Sequence, residues 1–145
     1  VRENSMLSNL DLIKNGPFIS PKKEKSIVQD MIKKLRVKTD SMDTRAINLS
    51  GGNQQKLVLI KWLLRDIKVL ILDEPTRGID VGAKYEIYKL MRELAAEGKA
   101  IIMVSSELSE IIGMSDRIVI MNEGRITGEL VNENISQEDI MKLAV

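Results

Sequence analysis

Apolar positions in this chain fall into short periodic runs separated by polar and glycine-bearing breaks. Ile27, Met31 and Leu35 recur at helical spacing. Ser20-Pro21 ahead of them supplies an N-cap followed by proline at the first helical position, which predicts a helix over about 21–36. Residues 1–19 read as a polar lead-in with apolar positions at Leu7, Leu10 and Ile13, broken at Asn15-Gly16-Pro17. Leu57, Ile60 and Leu64 predict a second helix over about 51–65. Val69-Leu70-Ile71-Leu72 is an unbroken apolar run ending in two acids, the pattern of a strand covered on both faces, as in parallel sheets. A helix over 82–97 follows, with Ala83, Ile87, Leu90 and Leu94 inward, Asp80 as its cap and Gly98 as its terminator. Ala100–Val104 reads as a second buried strand, and Glu107–Ile112 as a short helix. Arg117–Met121, the turn Asn122-Glu123-Gly124 and Arg125–Val131 read as a hairpin with one partly exposed face. Ser136-Gln137-Glu138-Asp139 opens a last short helix with a capping-box pattern. Helical elements first, then strand–helix–strand, imply an α/β half-domain with a helical lobe in front.

The 145 residues are of one-domain size, and 43% hydrophobic content suffices for a core. A net charge of +1, from 22 basic and 21 acidic residues, gives no electrostatic reason to expect nucleic acid. The lysines at 22, 23, 25, 33, 34 and 38 read as the solvated face of the 21–36 helix, since no aromatic residues are interleaved with them. With no cysteine and no histidine, thiolate and imidazole chemistry are both excluded, so carboxylates must supply any base. No apolar stretch approaches membrane-span length.

The run Leu49-Ser50-Gly51-Gly52-Asn53-Gln54-Gln55-Lys56 carries the most chemical information. A hydroxyl residue and two glycines open directly onto a helix, whose unpaired N–H groups and dipole favour an anion, most often phosphate. Yet Lys56 is not followed by Ser or Thr, and G-x-x-x-x-G-K-[ST] occurs nowhere in the chain. The chain thus has a phosphate-touching element without a phosphate-cradling loop. Asp73-Glu74-Pro75-Thr76 closes the apolar strand. There, beyond the carboxyl end of a strand, one carboxylate can hold Mg²⁺ and the next can activate an attacking water. Read alone, the tetrapeptide is equally a strand ending in an acidic turn.

A glycine-opened helix followed by an apolar strand with Asp-Glu-Pro-Thr resembles the nucleotide-binding domain of ATP-binding-cassette (ABC) transporters, over residues of about 20–131. The resemblance makes Leu49–Gln54 the signature loop, Val69–Glu74 the Walker B strand and Ile79-Asp80 the D-loop. Asn53 stands where most of the family has Gln, and Lys56 where many have Arg. With Asp73–Ala83 and Val104-Ser105-Ser106-Glu107, these residues are similar to the second cassette of bacterial ribose-, galactose- or xylose-type importers, which carry two fused cassettes.

The resemblance implies a partial P-loop NTPase of α/β class. Residues 1–66 would form the helical subdomain with the signature, and residues 67–145 the C-terminal half of the ATPase core. It implies ATP as substrate and Mg²⁺ at Asp73, with Glu74 and Ser106 catalytic. Leu49, Ser50, Gly51, Gly52, Asn53, Gln54 and Asp80 would contact nucleotide bound by a facing cassette. Ser106 stands where the family has a switch histidine, so the cassette's own site is expected to be the weaker one. Alternatively, Ser105 and Ser106 cap the following helix. The Walker A loop, the glutamine loop and an adenine-stacking aromatic are expected ahead of Val1. The chain, beginning with Val rather than Met, therefore reads as the C-terminal piece of a cassette, inactive alone. Trp62, within a helix, is expected to be packed rather than base-stacking. Expected partners are the first cassette or a second copy, transmembrane permease subunits and, indirectly, a periplasmic sugar-binding protein, at the cytoplasmic face of the inner membrane. Self-association through the edge of the Ala100–Val104 strand is a further expectation. Two other readings stand beside this one: a regulatory nucleotide-binding module without turnover, and a chromosome-maintenance-type ATPase head. The second would need coiled-coil heptads and a basic surface, which this sequence lacks.

Overall fold

The structure, a computed structural model, describes residues 1–144. In chain order the elements are α1 (Arg2–Met6), a 3₁₀ turn (Leu10–Ile13), β1 (Lys14–Asn15), β2 (Phe18–Ile19), α2 (Pro21–Lys34) and a 3₁₀ turn (Ala46–Asn48). They continue with α3 (Gly51–Leu63), β3 (Val69–Asp73), α4 (Val81–Ala96), β4 (Ala100–Val104), α5 (Leu108–Met114), β5 (Arg117–Asn122), β6 (Arg125–Val131) and α6 (Gln137–Leu143). They divide between two compact units, residues 1–70 with 76–101, and residues 71–75 with the described residues from 102 onward.

In the first unit, Ser20 caps α2 by accepting from Lys23 N, with Pro21 at the first helical position, as the dipeptide predicts. Met6, Ile13 and Val28 form one apolar cluster, joined by Ile27, Ile32, Met42 and Leu64. The six lysines of the α2 region all face solvent. The lead-in differs from expectation. Ile13 is buried, but Leu7 and Leu10 are exposed, and Met6, Ser5 and Asn9 take the inward positions instead. The cause is local: a one-turn helix ends at Met6 and a tighter 3₁₀ turn begins at Leu10, so no single period runs through the segment. Asn9 is held inside by donating to Lys61 O (2.6 Å) and accepting from Arg65 Nε (2.7 Å). Trp62 is not packed as expected. It is 53% exposed, on a side of α3 turned away from the inward-facing Ile60.

β3 and β4 pair side by side. Ala100 N donates to Lys68 O at one end and Glu74 N to Val104 O at the other, so the strands run parallel. The expectation of strands covered on both faces is corrected. Leu70 and Leu72 are buried, whereas Val69, Ile71, Ile102 and Val104 are each more than half exposed. Side chains alternate across a strand, and among the described residues only one face of this ribbon is packed.

In the second unit, β5 and β6 form the expected antiparallel hairpin, with Asn122 opposite Arg125. Glu123 and Gly124 both take positive φ (47° and 77°), the two-residue turn whose twist matches the flanking strands. Ile118, Ile120 and Ile140 form its core, with Leu108, Ile111, Ile112 and Leu143 packed around them. Ser136 and Asp139 cap α6 reciprocally. Among the described residues no helix is long and apolar enough to cross a membrane.

Candidate functional site

The signature segment lies in the first unit. Ser50 adopts extended backbone as the N-cap of α3, but its side chain makes no cap hydrogen bond. Its Oγ instead accepts from Asn53 Nδ2 (2.8 Å), and Asn53 Oδ1 accepts from Lys38 N (2.8 Å). Gln54 Nε2 donates to Leu49 O (2.9 Å), fixing the entry to the helix, and Leu49 itself is buried. The first-turn amides of α3 are therefore left without a side-chain cap, the condition for a helix N-terminus to receive an anion.

The two glycines have a packing role of their own. A methyl built on Gly51 would lie 3.2 Å from Ile79 Cγ2, and one on Gly52 would lie 2.4 Å from Ala83 Cβ. Gly52 is buried where α3 crosses the start of α4, and only a hydrogen fits there. Asp80 caps α4 by accepting from Ala83 N (2.9 Å), so it stabilises the same turn that Gly52 packs against. The structure thus brings the signature glycines and the Asp80 turn together within one unit.

Lys56 is a residue whose position the sequence reading passed over. It is 3% exposed, and its Nζ donates to Glu86 Oε2 (2.7 Å) and to Arg36 O (3.1 Å). Arg36 holds a left-handed φ of 50°. The Lys56 ammonium, through its hydrogen bond and charge, lowers the carboxyl pKa of Glu86 below its ordinary value. One signal was available: Lys56 falls four residues after Gly52 and four before Ile60, on the inward stripe of α3.

The paired acids lie in the second unit. Asp73 ends β3 with its side chain exposed. Glu74 leaves the strand at φ 46°, a left-handed conformation that costs a non-glycine residue about 1–2 kcal/mol. Two contacts hold it there. Glu74 N donates to Val104 O (2.9 Å), and Oε1 accepts from Ser106 N (2.9 Å). Ser106 therefore meets Glu74 through its main-chain amide, and the residue is otherwise exposed. Ser105 Oγ accepts from Glu107 N (3.0 Å) and donates to Glu110 Oε2 (2.5 Å). Capping by the serines holds only in part: Ser105 ties down the amide of Glu107, but Glu107 is the N-cap of α5 and has no side-chain cap bond.

The profile of the ABC transporter family matches residues 1–77. The ribose import ATP-binding protein RbsA of Oceanobacillus iheyensis is 57% identical over 144 residues, 99% of this chain and 29% of that protein. RbsA of Bacillus subtilis (strain 168) is 57% identical over 144 residues, with the same coverage. The xylose import ATP-binding protein XylG of Photobacterium profundum is 53% identical over 145 residues, 100% of this chain and 29% of that protein. The chain spans about 29% of the length of these curated relatives. Among solved structures, an ATP-binding cassette of an ABC transporter superposes with a TM-score of 0.79 at 19% identity, covering 98% of this chain and 61% of that one. A dimeric post-hydrolysis cassette bound to ADP and Pi gives 0.73 at 20% identity, over 91% and 57%. These structures share the fold, which is that of an ABC ATPase cassette. The chain belongs to the ABC transporter family.

Proposed function

We propose that this chain works as the signature and Walker B portion of an ATPase that drives sugar import, peripheral at the cytoplasmic face of the inner membrane. Its partners are permease subunits and a facing cassette. The sugar is selected by the membrane and binding subunits, because the ATPase does not touch it. The phosphate-cradling loop, absent from this sequence, is supplied by other residues of the assembled ATPase.

Two divisions of labour follow. Ser50, Gly51, Gly52 and Gln54 serve a nucleotide anchored by the facing cassette, the uncapped amides of α3 donating to its terminal phosphate. Glu74 serves the nucleotide of its own cassette. With Oε1 held by the Ser106 amide, the carboxylate orients a water toward the γ-phosphorus and takes its proton. The new P–O bond forms as the bond to the bridging oxygen breaks, and ADP leaves with that oxygen. Among the described residues no cluster of three or more acidic side chains forms an all-protein metal cage. A single exposed carboxylate at Asp73 suits Mg²⁺, which binds through one or two carboxylates and substrate phosphates. Held there, Mg²⁺ would neutralise phosphate charge.

The observation that carries this reading is Glu74, fixed at the end of β3 by both its main chain and its carboxylate. The likeness to ribose and xylose import proteins extends it to sugar uptake. The test is a chimera in which this chain replaces the corresponding segment of RbsA of B. subtilis. Ribose uptake and ATP turnover within about threefold of the parent are expected. A chimera that folds and reaches the membrane but hydrolyses no ATP would refute the proposal.

A further inference from the structure

Glu110 is a carboxylate only 3% exposed, and the mechanism above makes no use of it. It lies in the first turn of α5, whose Leu108, Ile111 and Ile112 pack on the hairpin core. The far end of α5 is fastened as well, because Asn132 Nδ2 donates to Ile112 O and to Ser115 O (both 2.7 Å). The helix is therefore a fixed platform within the second unit. From it Glu110 accepts the Ser105 hydroxyl at 2.5 Å, a charge-assisted bond of the short, strong kind. The same hydroxyl accepts from Glu107 N, so the main chain is fixed on both sides of Ser106. The amide between those two points is the one that holds Glu74 Oε1.

We infer that Glu110 is a positioning residue for hydrolysis, acting through Ser105 and the Ser106 amide to aim the carboxylate of Glu74. The inference rests on the hydrolytic reading above. The chain of contacts gives a reason for a buried acid at this point. A neutral apolar residue would fill the space but would leave the Ser105 hydroxyl held only by Glu107 N, and the 105–107 turn less firmly fixed. Misplacing a reacting group by an ångström lowers rates by as much as a hundredfold.

The test uses the intact importer in proteoliposomes with the facing cassette's own hydrolytic carboxylate neutralised in every variant and in the parent, so that steady-state ATP turnover reads the site served by Glu74 alone. Glu110→Met, which keeps the volume and removes the acceptor, is expected to lower kcat about tenfold with KM for ATP unchanged. Glu110→Gln, which still accepts from Ser105, should restore kcat to within about threefold of the parent. Ser105→Ala should match Glu110→Met, and the double variant should be no slower than either single one, because both cut the same link. A kcat within twofold of the parent in folded Glu110→Met, or an effect confined to KM, overturns the inference. If Glu110→Met does not fold, Ser105→Ala decides by the same thresholds. A parent importer with no ATP turnover would sink the hydrolytic reading itself. Turnover that Glu74→Gln lowers, but that these two variants leave intact, would overturn this inference alone.

Discussion

Replacing Gly52 by alanine adds one methyl at the crossing of α3 and α4, and the structure says how badly it fits. The new carbon would lie 2.4 Å from Ala83 Cβ and 3.6 Å from Ala83 Cα. Non-bonded carbons rest at about 3.5 Å or more, so the shortfall (3.5 less 2.4) is about 1 Å. Both atoms are attached directly to backbone, and no rotamer change can relieve the overlap. The two helices must part. Overpacking of this kind costs about 1–3 kcal/mol. Alanine's better helix propensity returns at most about 1 kcal/mol. A net loss of about 1–2 kcal/mol is expected, lowering the melting temperature by roughly 2–4 °C for each kcal/mol. Moving the methyl rather than adding it isolates the cause: Gly52→Ala with Ala83→Gly should be at least about 1 kcal/mol more stable than the two single changes summed. Thermal and urea melts followed by circular dichroism read all four proteins. A Gly52→Ala chain that melts with the parent, or a pair that shows no such recovery, would refute the packing argument. In an activity assay the pair also separates the two duties of this glycine, since it restores the helix crossing while leaving a side chain at the proposed phosphate contact.

Lys56→Met should cost about 1–3 kcal/mol in urea unfolding, because the Arg36 carbonyl and Glu86 lose a charged donor. Its pH dependence has a definite sign. Glu86 has a lowered pKa in the folded chain, so its contribution is present above the ordinary value of 4.5 and fades as pH falls through that region and below. Acid melts should therefore show a shallower loss of stability in Lys56→Met than in the parent, and equal slopes would count against the pairing. In the intact importer, Glu74→Gln should reduce ATP turnover without abolishing it, since the resemblance puts Ser106 in the place of a switch histidine and the opposite site is then expected to carry most of the flux. Complete loss of turnover would end that asymmetry. The chain purified alone should show no stoichiometric ATP occupancy by equilibrium dialysis, because the cradling loop is not in its sequence. Tight, one-to-one binding with hydrolysis would overturn the proposed division of labour.

Elements with strong local signals were legible from residue types alone. Ser20-Pro21, Asp80, Gly98 and the Ser136–Asp139 box each act through neighbouring backbone, and each is found in its expected role. The hairpin was legible for the same reason, because a Glu-Gly turn between alternating strands needs no distant partner. Tertiary context decided the rest. An unbroken Val-Leu-Ile-Leu run cannot tell how many of its faces are covered, and in β3 only Leu70 and Leu72 are buried. Trp62 lies in the predicted helix, but helical periodicity did not place it on the outer side. In the candidate site, the residue types at the signature and at Asp73-Glu74 pointed to phosphate chemistry. Their connections did not follow from residue type: the Ser106 contribution is a main-chain N–H, which no side-chain identity encodes.

The two departures from the commoner family pattern find a joint account in these contacts. Asn53 spans from Ser50 Oγ to Lys38 N, and Lys56, one turn further along α3, reaches back to Arg36 O. Both residues therefore fasten the same stretch, 36–38, to the helix that begins at the signature. A glutamine at 53 would carry its amide one methylene further out and could not make both short bonds from the same backbone position. An arginine at 56 would bring a planar fork to a site that offers one carbonyl and one carboxylate oxygen to a compact ammonium. The Asn–Lys combination is then a matched pair. Exchanging either residue alone for the commoner one should cost more than exchanging both, provided the connecting turn at Arg36 is free to move with them.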